Sequence, residues 1–325
     1  MDAAPGGEDD AASETADAGP ELRSGRIDAA LHAERLDKVL VTLAPEFSRS
    51  HLQHLIELGH VRVDGQTAGT ASRRLRVGQR VELELVPTDE SRAFQPQTMD
   101  LSILYEDEHL LVLDKPAGLV VHPAPGNWSG TLLNGLLAHH AAAATLPRGG
   151  IVHRLDKDTS VVMVVGKSLP AVTALVRDIA ARSVHRRYAA IAHGVPVPAE
   201  QSIEAPIGRD PAVRVRMAVV AGGRPSRTDV VTLASNDGFS ALRCTLHTGR
   251  THQIRVHLAW RGHPLVADAV YGGKPALGML RQALHAVRLE LVHPVTQERL
   301  SFSCPPPPDF AAAWACVAGG TMRAD

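Results

Sequence analysis

Residues His153-Arg154-Leu155-Asp156-Lys157-Asp158-Thr159-Ser160 place two carboxylates, two cations, a histidine and two hydroxyls in eight positions. Ile151-Val152 precede this cluster and the apolar run Val161–Val165 follows it, so it stands at the entrance of a strand that reads as buried. Charge beside an apolar strand is costly unless it is paired. A carboxylate held there among cations is therefore a candidate for acid, base or nucleophilic work, and Asp156 is the leading one. A second segment, Leu246 to Leu258, reads as an alternating strand that ends at Gly249. A helix is expected to follow it, with Thr251 as N-cap and Ile254 and Leu258 at helical spacing. Backbone N–H groups at that helix start, with Arg250 beside them, would suit a phosphate. A third segment, Leu113-Asp114-Lys115-Pro116-Ala117-Gly118, is a strand running into a Pro/Gly turn. His247, His252 and His257 are five residues apart. Metal ligands on one helical turn prefer a separation of four, so no metal site is expected.

The elements that hold these residues belong to a chain of 325 residues, long enough for two domains. With 44% apolar and 21% charged residues it reads as globular, and with 3% aromatics its core must rest on Val, Leu, Ala and Ile. Eight Asp and Glu against two Arg leave residues 1–30 at −6, so the rest of a chain totalling −1 carries +5. The body is thus mildly basic and can present a cationic face to nucleic acid. The three cysteines form no Cys-x-x-Cys pair and suggest neither a disulfide framework nor a zinc site, which fits a reducing cytoplasm. The acidic N-terminus lacks the apolar core of a secretory signal. No run reaches the roughly 20 apolar residues of a membrane span.

Residues 1–30 have almost no large apolar side chain and are expected to be a disordered acidic tail. Residues 33–87 read as a small module. Leu36, Val39, Leu40 and Leu43 mark one helix, and Ser48 caps a second that carries Leu52, Leu55 and Ile56 and ends at Gly59. Val61–Val63 then enters an Asp64-Gly65 turn, and an alternating strand spans Leu75–Leu85. A polar linker covers 88–98, a larger domain 99–318 and a C-terminal tail 319–325. In the larger domain many short alternating strands alternate with fewer helices, at 131–140, 171–182 and 253–261, without a βαβ rhythm. The expected class is α+β with a mainly antiparallel sheet.

With these segments together, the chain resembles the RluA-type family of pseudouridine synthases over about residues 33–318. Residues 33–87 resemble the S4 RNA-binding domain found in one branch of that family, with Arg49 and Arg62 among its candidate phosphate contacts. The match at His153–Ser160 is highly specific, and that at Thr248–His257 nearly so. The resemblance implies isomerisation of uridine to pseudouridine within RNA, a reaction without net redox change that needs no cofactor or metal. It implies Asp156 as the essential carboxylate, acting as nucleophile at ribose or base or as a base at the sugar. It also implies Arg255 as its ion-pair partner and Tyr188 as the active-site aromatic. A stacked uridine must be flipped out to react. The resemblance assigns the gap-filling wedge to Arg154, an apolar pocket wall to Ile254, and phosphate or framework contacts to Lys115 and Arg250. Large-subunit ribosomal RNA, free or in a precursor particle, is the implied partner of a protein expected to be a monomer. Two alternatives stay open: a synthase acting on transfer RNA, and a non-catalytic RNA-binding or ribosome-assembly factor on the same scaffold. The family usually has Gly where this chain has Val161, which is the one sequence feature favouring the second.

Overall fold

The computed structural model describes residues 21–86, 93–124, 126–153, 155–213 and 216–322. Residues 1–20 of the expected tail, 88–92 of the expected linker, 323–325 of the C-terminal tail, and Arg154 all lie outside the described residues. The chain divides into two units at Thr88/Asp89.

In the first unit, β1 (Glu21–Arg26), α1 (Leu36–Leu43), α2 (Arg49–Glu57), β2 (Val61–Val63), β3 (Gln66–Thr67) and β4 (Arg80–Leu85) follow in order, and the sheet runs β1-β4-β2-β3. Leu36, Leu40, Leu52, Leu55 and Ile56 from the helices close over Val61, Val63, Val81 and Leu83. Ser48 caps α2 as expected, accepting from the backbone N–H of His51 at 3.3 Å. The last strand is shorter than expected, because Gly78 turns the chain before Arg80. Residues 21–26 correct the sequence reading, since they form a strand paired with β4 from Glu21↔Leu85 to Arg26↔Arg80. The strand is held by its ladder rather than by large side chains, and α1 packs so close that a Cβ on Gly25 would meet Leu43 Cδ2 at 2.7 Å. A reading based on hydrophobicity has no signal for such a strand.

The second unit contains β5 (Ile103–Glu106), β6 (Leu110–Lys115), α3 (Leu132–His139), β7 (Ser160–Gly166), α4 (Leu169–Ala181) and β8 (His185–His193). It continues with β9 (Glu200–Glu204), β10 (Ile207–Arg209), β11 (Met217–Val219), β12 (Arg227–Asn236), β13 (Phe239–Leu246) and α5 (Gln253–Trp260). It ends with β14 (Leu284–Val292), β15 (Arg299–Ser303) and α6 (Pro308–Ala318). A nine-stranded sheet runs β5-β6-β7-β14-β8-β13-β12-β9, with β15 on β14. Every pairing in it is antiparallel except β7 with β14. The architecture is α+β with a mainly antiparallel mixed sheet. Residues 93–97 are not a free linker, because Asn134 of α3 donates to the carbonyls of Ala93 and Gln95 and Gln97 donates back to the Asn134 carbonyl.

Alternation along the central strands gives the sheet two working faces. Tyr188, Ala190, Leu242, Cys244, Leu284 and Ala286 point toward Ile254 and Leu258 of α5. Ala189, Ile191, Ala241 and Val287 point toward Phe310, Ala313 and Trp314 of α6. Val161 is buried among the first set, so the departure from glycine adds to the sheet core.

Candidate active site

The loop 151–159 delivers the charged cluster to the start of β7, and nearly every residue after Asp156 is pinned. Lys115 is fully buried and donates to the carbonyls of Pro116, Leu119 and Lys157 at 2.9, 2.9 and 3.0 Å. An ammonium has three N–H donors; two are spent on the turn that follows β6 and one ties that turn to the loop at Lys157. With its donors occupied, Lys115 has none left for a phosphate, which corrects that expectation. Burial lowers its pKa to about 8, with Asp158 and Asp156 opposing the shift. Arg281 donates to the Asp158 carbonyl at 3.0 Å. The Gln282 amide reaches Thr159 Oγ1 at 3.3 Å, and Ser160 Oγ lies 2.9 Å from His285 Nδ1.

Asp156 then faces Arg255 at 2.9 Å, from Oδ2 to Nη1. The Arg255 guanidinium also donates two bonds to Asp268, at 2.7 Å from Nε and 2.8 Å from Nη2. Asp268 side-chain exposure is 1%, that of Arg255 is 6% and that of Asp156 is 18%, so only the Asp156 end of the triad opens outward. Burial works against the Arg255 charge, but Asp268 and Asp156 outweigh it and raise the pKa above the ordinary arginine value. Two carboxylates on one guanidinium form the arrangement in which buried charge is tolerated. Asp268 comes from a turn so tight that a Cβ on Gly273 would lie 1.8 Å from the Leu265 carbonyl oxygen.

His252 adds a second neighbour to Asp156. Its Nε2 lies 3.5 Å from Asp156 Oδ1 and its Nδ1 lies 2.8 Å from the Tyr271 hydroxyl, which accepts from the Met217 N–H at 3.1 Å. His252 is the N-cap of α5 and has left-handed backbone, φ 55°. The expected Thr251 cap is thus corrected. The Gln253 side chain accepts from the Arg250 N–H and the Thr248 hydroxyl at 3.0 and 2.7 Å, so this junction is closed partly from within. A non-glycine residue at positive φ costs energy, and here the turn aims a ring at the carboxylate.

The Asp156–Arg255 end of the triad lines a cleft of about 350 Å³ together with Tyr188, Ile254, Leu246 and Leu284. Tyr188 and Ile254 are 4% and 3% exposed. Burial raises the Tyr188 pKa, Arg186 opposes this and Asp156 adds to it, so the phenol keeps its proton at neutral pH. Arg148, Arg182, Arg186 and Arg250 are also among the lining residues. The Nε atoms of Arg186 and Arg250 are buried without a hydrogen-bond partner among the described residues. Sequence reading singled out Arg250 but missed Arg186. The signal was available, because residues two apart on a strand share a face and Tyr188 follows two positions later.

Arg49 does not stand free in the first unit. It donates to the buried Asp37 at 2.8 Å, with Gln53 at 2.6 Å and Arg35 at 3.0 Å, and so ties α2 to α1 while remaining about half exposed. Arg62 is exposed between the buried Val61 and Val63.

His153 gives the loop an acid sensitivity. Its Nε2 accepts from the Val164 N–H at 3.2 Å, and burial, with Arg186, lowers its pKa to about 3. Below the unfolded value of about 6.5 the unfolded chain takes up a proton that the native ring refuses, so stability falls with acidity. This one group accounts for about 2 kcal/mol between pH 7 and pH 5. His153→Gln, which keeps an acceptor for Val164, is expected to lose that much less stability over the same interval in denaturant titrations. Equal losses in both proteins contradict the assignment.

The profile of the RNA pseudouridylate synthase family matches residues 109–260, and that of the S4 domain matches residues 34–81. The chain is 49% identical over 288 residues to the ribosomal large subunit pseudouridine synthase D of Neisseria meningitidis serogroup B, covering 85% of this chain and 76% of that one. It is 44% identical over 316 residues to the protein of the same name from Xanthomonas campestris pv. campestris, covering 93% and 95%. Among solved structures, human RNA pseudouridylate synthase domain containing 1 superposes with a TM-score of 0.54 at 27% identity, covering 70% of this chain and 93% of that one. Relatives that align across both units, and a cleft that joins the two most specific segments of the sequence, lead to one assignment: the protein belongs to the RNA pseudouridine synthase family, in the form that carries an S4 domain.

Proposed function

We propose that this protein isomerises specific uridines of large-subunit ribosomal RNA, with Asp156 as the reacting carboxylate. The observation that carries the proposal is the Asp156–Arg255 pair at 2.9 Å, anchored by Asp268 and opening into a cleft sized for one nucleotide. The reaction breaks N1–C1′ and forms C5–C1′. One proton leaves C5 and one arrives at N1, so no external reactant enters. Asp156 serves as nucleophile at ribose or base, or as base at the sugar. Each role needs an ionised carboxylate shielded from water, and Arg255 supplies the opposing charge. Tyr188 and Ile254 offer a planar and an apolar wall to the extruded base, and the protonated phenol can serve a proton transfer. Arg250 and Arg186, with unpartnered donors in the cleft wall, suit the flanking phosphates. Arg154 is assigned the stacking wedge, on the strength of the family resemblance and its place next to Leu155. In the S4 unit Arg62 is the freer phosphate contact and Arg49 the shared one.

The names of the relatives support the large ribosomal subunit as the source of substrate. The unpaired Cys244, Cys304 and Cys316 suit a cytoplasmic site of action. The enzyme is taken to act as a monomer. The intact carboxylate–guanidinium pair favours an enzyme over a non-catalytic assembly factor. Purified protein incubated with transcripts of large-subunit ribosomal RNA and of transfer RNA provides the test, read by mass after cyanoethylation. Conversion of the ribosomal transcript is expected. Conversion of transfer RNA alone reassigns the substrate, and conversion of neither RNA contradicts the proposal.

A further inference from the structure

The sheet face opposite the catalytic cleft carries a second set of arginines that the reaction does not use. Arg187 of β8 and Arg288 of β14 are directly opposed in register, and Arg243 of β13 stands diagonal to Arg187, paired with Ala189. Like charges facing each other across a strand pair are destabilising. Arg288 is answered by Glu290 at 2.9 Å and donates to Ser301 Oγ at 3.1 Å. Among the described residues the side chains of Arg187 and Arg243 have no hydrogen-bond or ion-pair partner. The three arginines line a cleft of about 300 Å³ whose apolar wall includes Leu233, Val287, Trp314 and Met322. Three cations against one carboxylate, beside apolar surface that limits their hydration, form a site for an anion.

We infer that this back face binds the phosphate backbone of the RNA substrate outside the catalytic cleft. Arginine forks match phosphate oxygens bidentately, and an apolar wall suits the ribose between two phosphates. RNA is favoured over an acidic protein because strands β8 and β13 carry both sites. Tyr188 packs on the α5 side of the sheet while Arg187 alternates to the α6 side with Ala189, so a folded RNA entering the front has further backbone to lay behind it. The inference rests on RNA being the substrate.

The test compares wild type with Arg243→Ala and with the double variant R187A/R243A. Binding of a large-subunit ribosomal RNA transcript is titrated from low to high salt, with polyglutamate as a second probe. Each lost phosphate contact is expected to make the slope of log affinity against log salt shallower by about 1. The thermal midpoint is expected to equal or exceed that of wild type, because a like-charge pair is relieved. Arg243 is exposed and unpaired, so its single variant carries the test if the double variant folds poorly. Unchanged slopes, or a loss confined to polyglutamate, overturn the inference. Conversion of the transcript by wild type is measured in the same samples. Its absence counts against the function, whereas normal conversion with unchanged slopes counts against this site alone.

Discussion

Asp156→Asn is expected to lower uridine conversion by about 10³-fold or more, the scale on which a nucleophile or general base contributes. Binding of the same RNA is expected to stay within about twofold, since the side chain adds no cation to the phosphate contacts. The variant is also expected to fold. Asparagine keeps an oxygen for the Arg255 Nη1 donor, and Arg255 retains its bidentate partner Asp268, so no buried charge is stranded. Time courses of conversion on a ribosomal transcript, with thermal unfolding of the same preparation, separate chemistry from stability. A folded variant working at the wild-type rate removes Asp156 from the mechanism.

Arg255→Leu is expected to damage both fold and activity. Asp268 is 1% exposed and its two charge-assisted bonds come from Arg255, so the substitution leaves a buried carboxylate without its cation. Breaking a buried pair from one side costs about 3–5 kcal/mol. Arg255→Lys restores the charge but not the planar fork that holds two carboxylates at once, so it should recover stability in part and activity little. Asp268→Asn in the Arg255→Leu background removes the stranded charge and should regain stability without regaining conversion. Denaturant titrations of the four proteins measure this. If Arg255→Leu loses less than about 1 kcal/mol, the triad is not the buried network described here.

The chemistry was more legible in the sequence than the scaffold around it. Asp156 stands in a segment dense with groups that are costly to bury, Arg255, Ile254 and Tyr188 followed only from the family resemblance, and the fold brings all four to one cleft. Asp268, the anchor of Arg255, sits in a turn without periodicity, and its role depends on a partner 13 residues back across that turn. For Lys115 the resemblance left a phosphate contact and a framework contact both open. Only the loop that wraps it shows its three donors committed to carbonyls. His252 entered the sequence reading through its spacing from His247 and His257, and its left-handed backbone, which turns it toward Asp156, has no sequence signature outside glycine and asparagine. Short strands fared worst. β1, β9 and β10 were absent from the reading because their pairing partners, not their own side chains, define them. The helix Pro308–Ala318 was also missed, although proline at its first position is a usable start signal.

The central claim is that the carboxylate of Asp156 makes pseudouridine in large-subunit ribosomal RNA. Mapping pseudouridines across total RNA from cells lacking this gene, and from the same cells supplied with wild type or Asp156→Asn, tests it most directly. The account predicts that one or more large-subunit positions lose the modification on deletion, regain it with wild type and stay unmodified with Asp156→Asn. A map unchanged by deletion, or restored by Asp156→Asn, contradicts it.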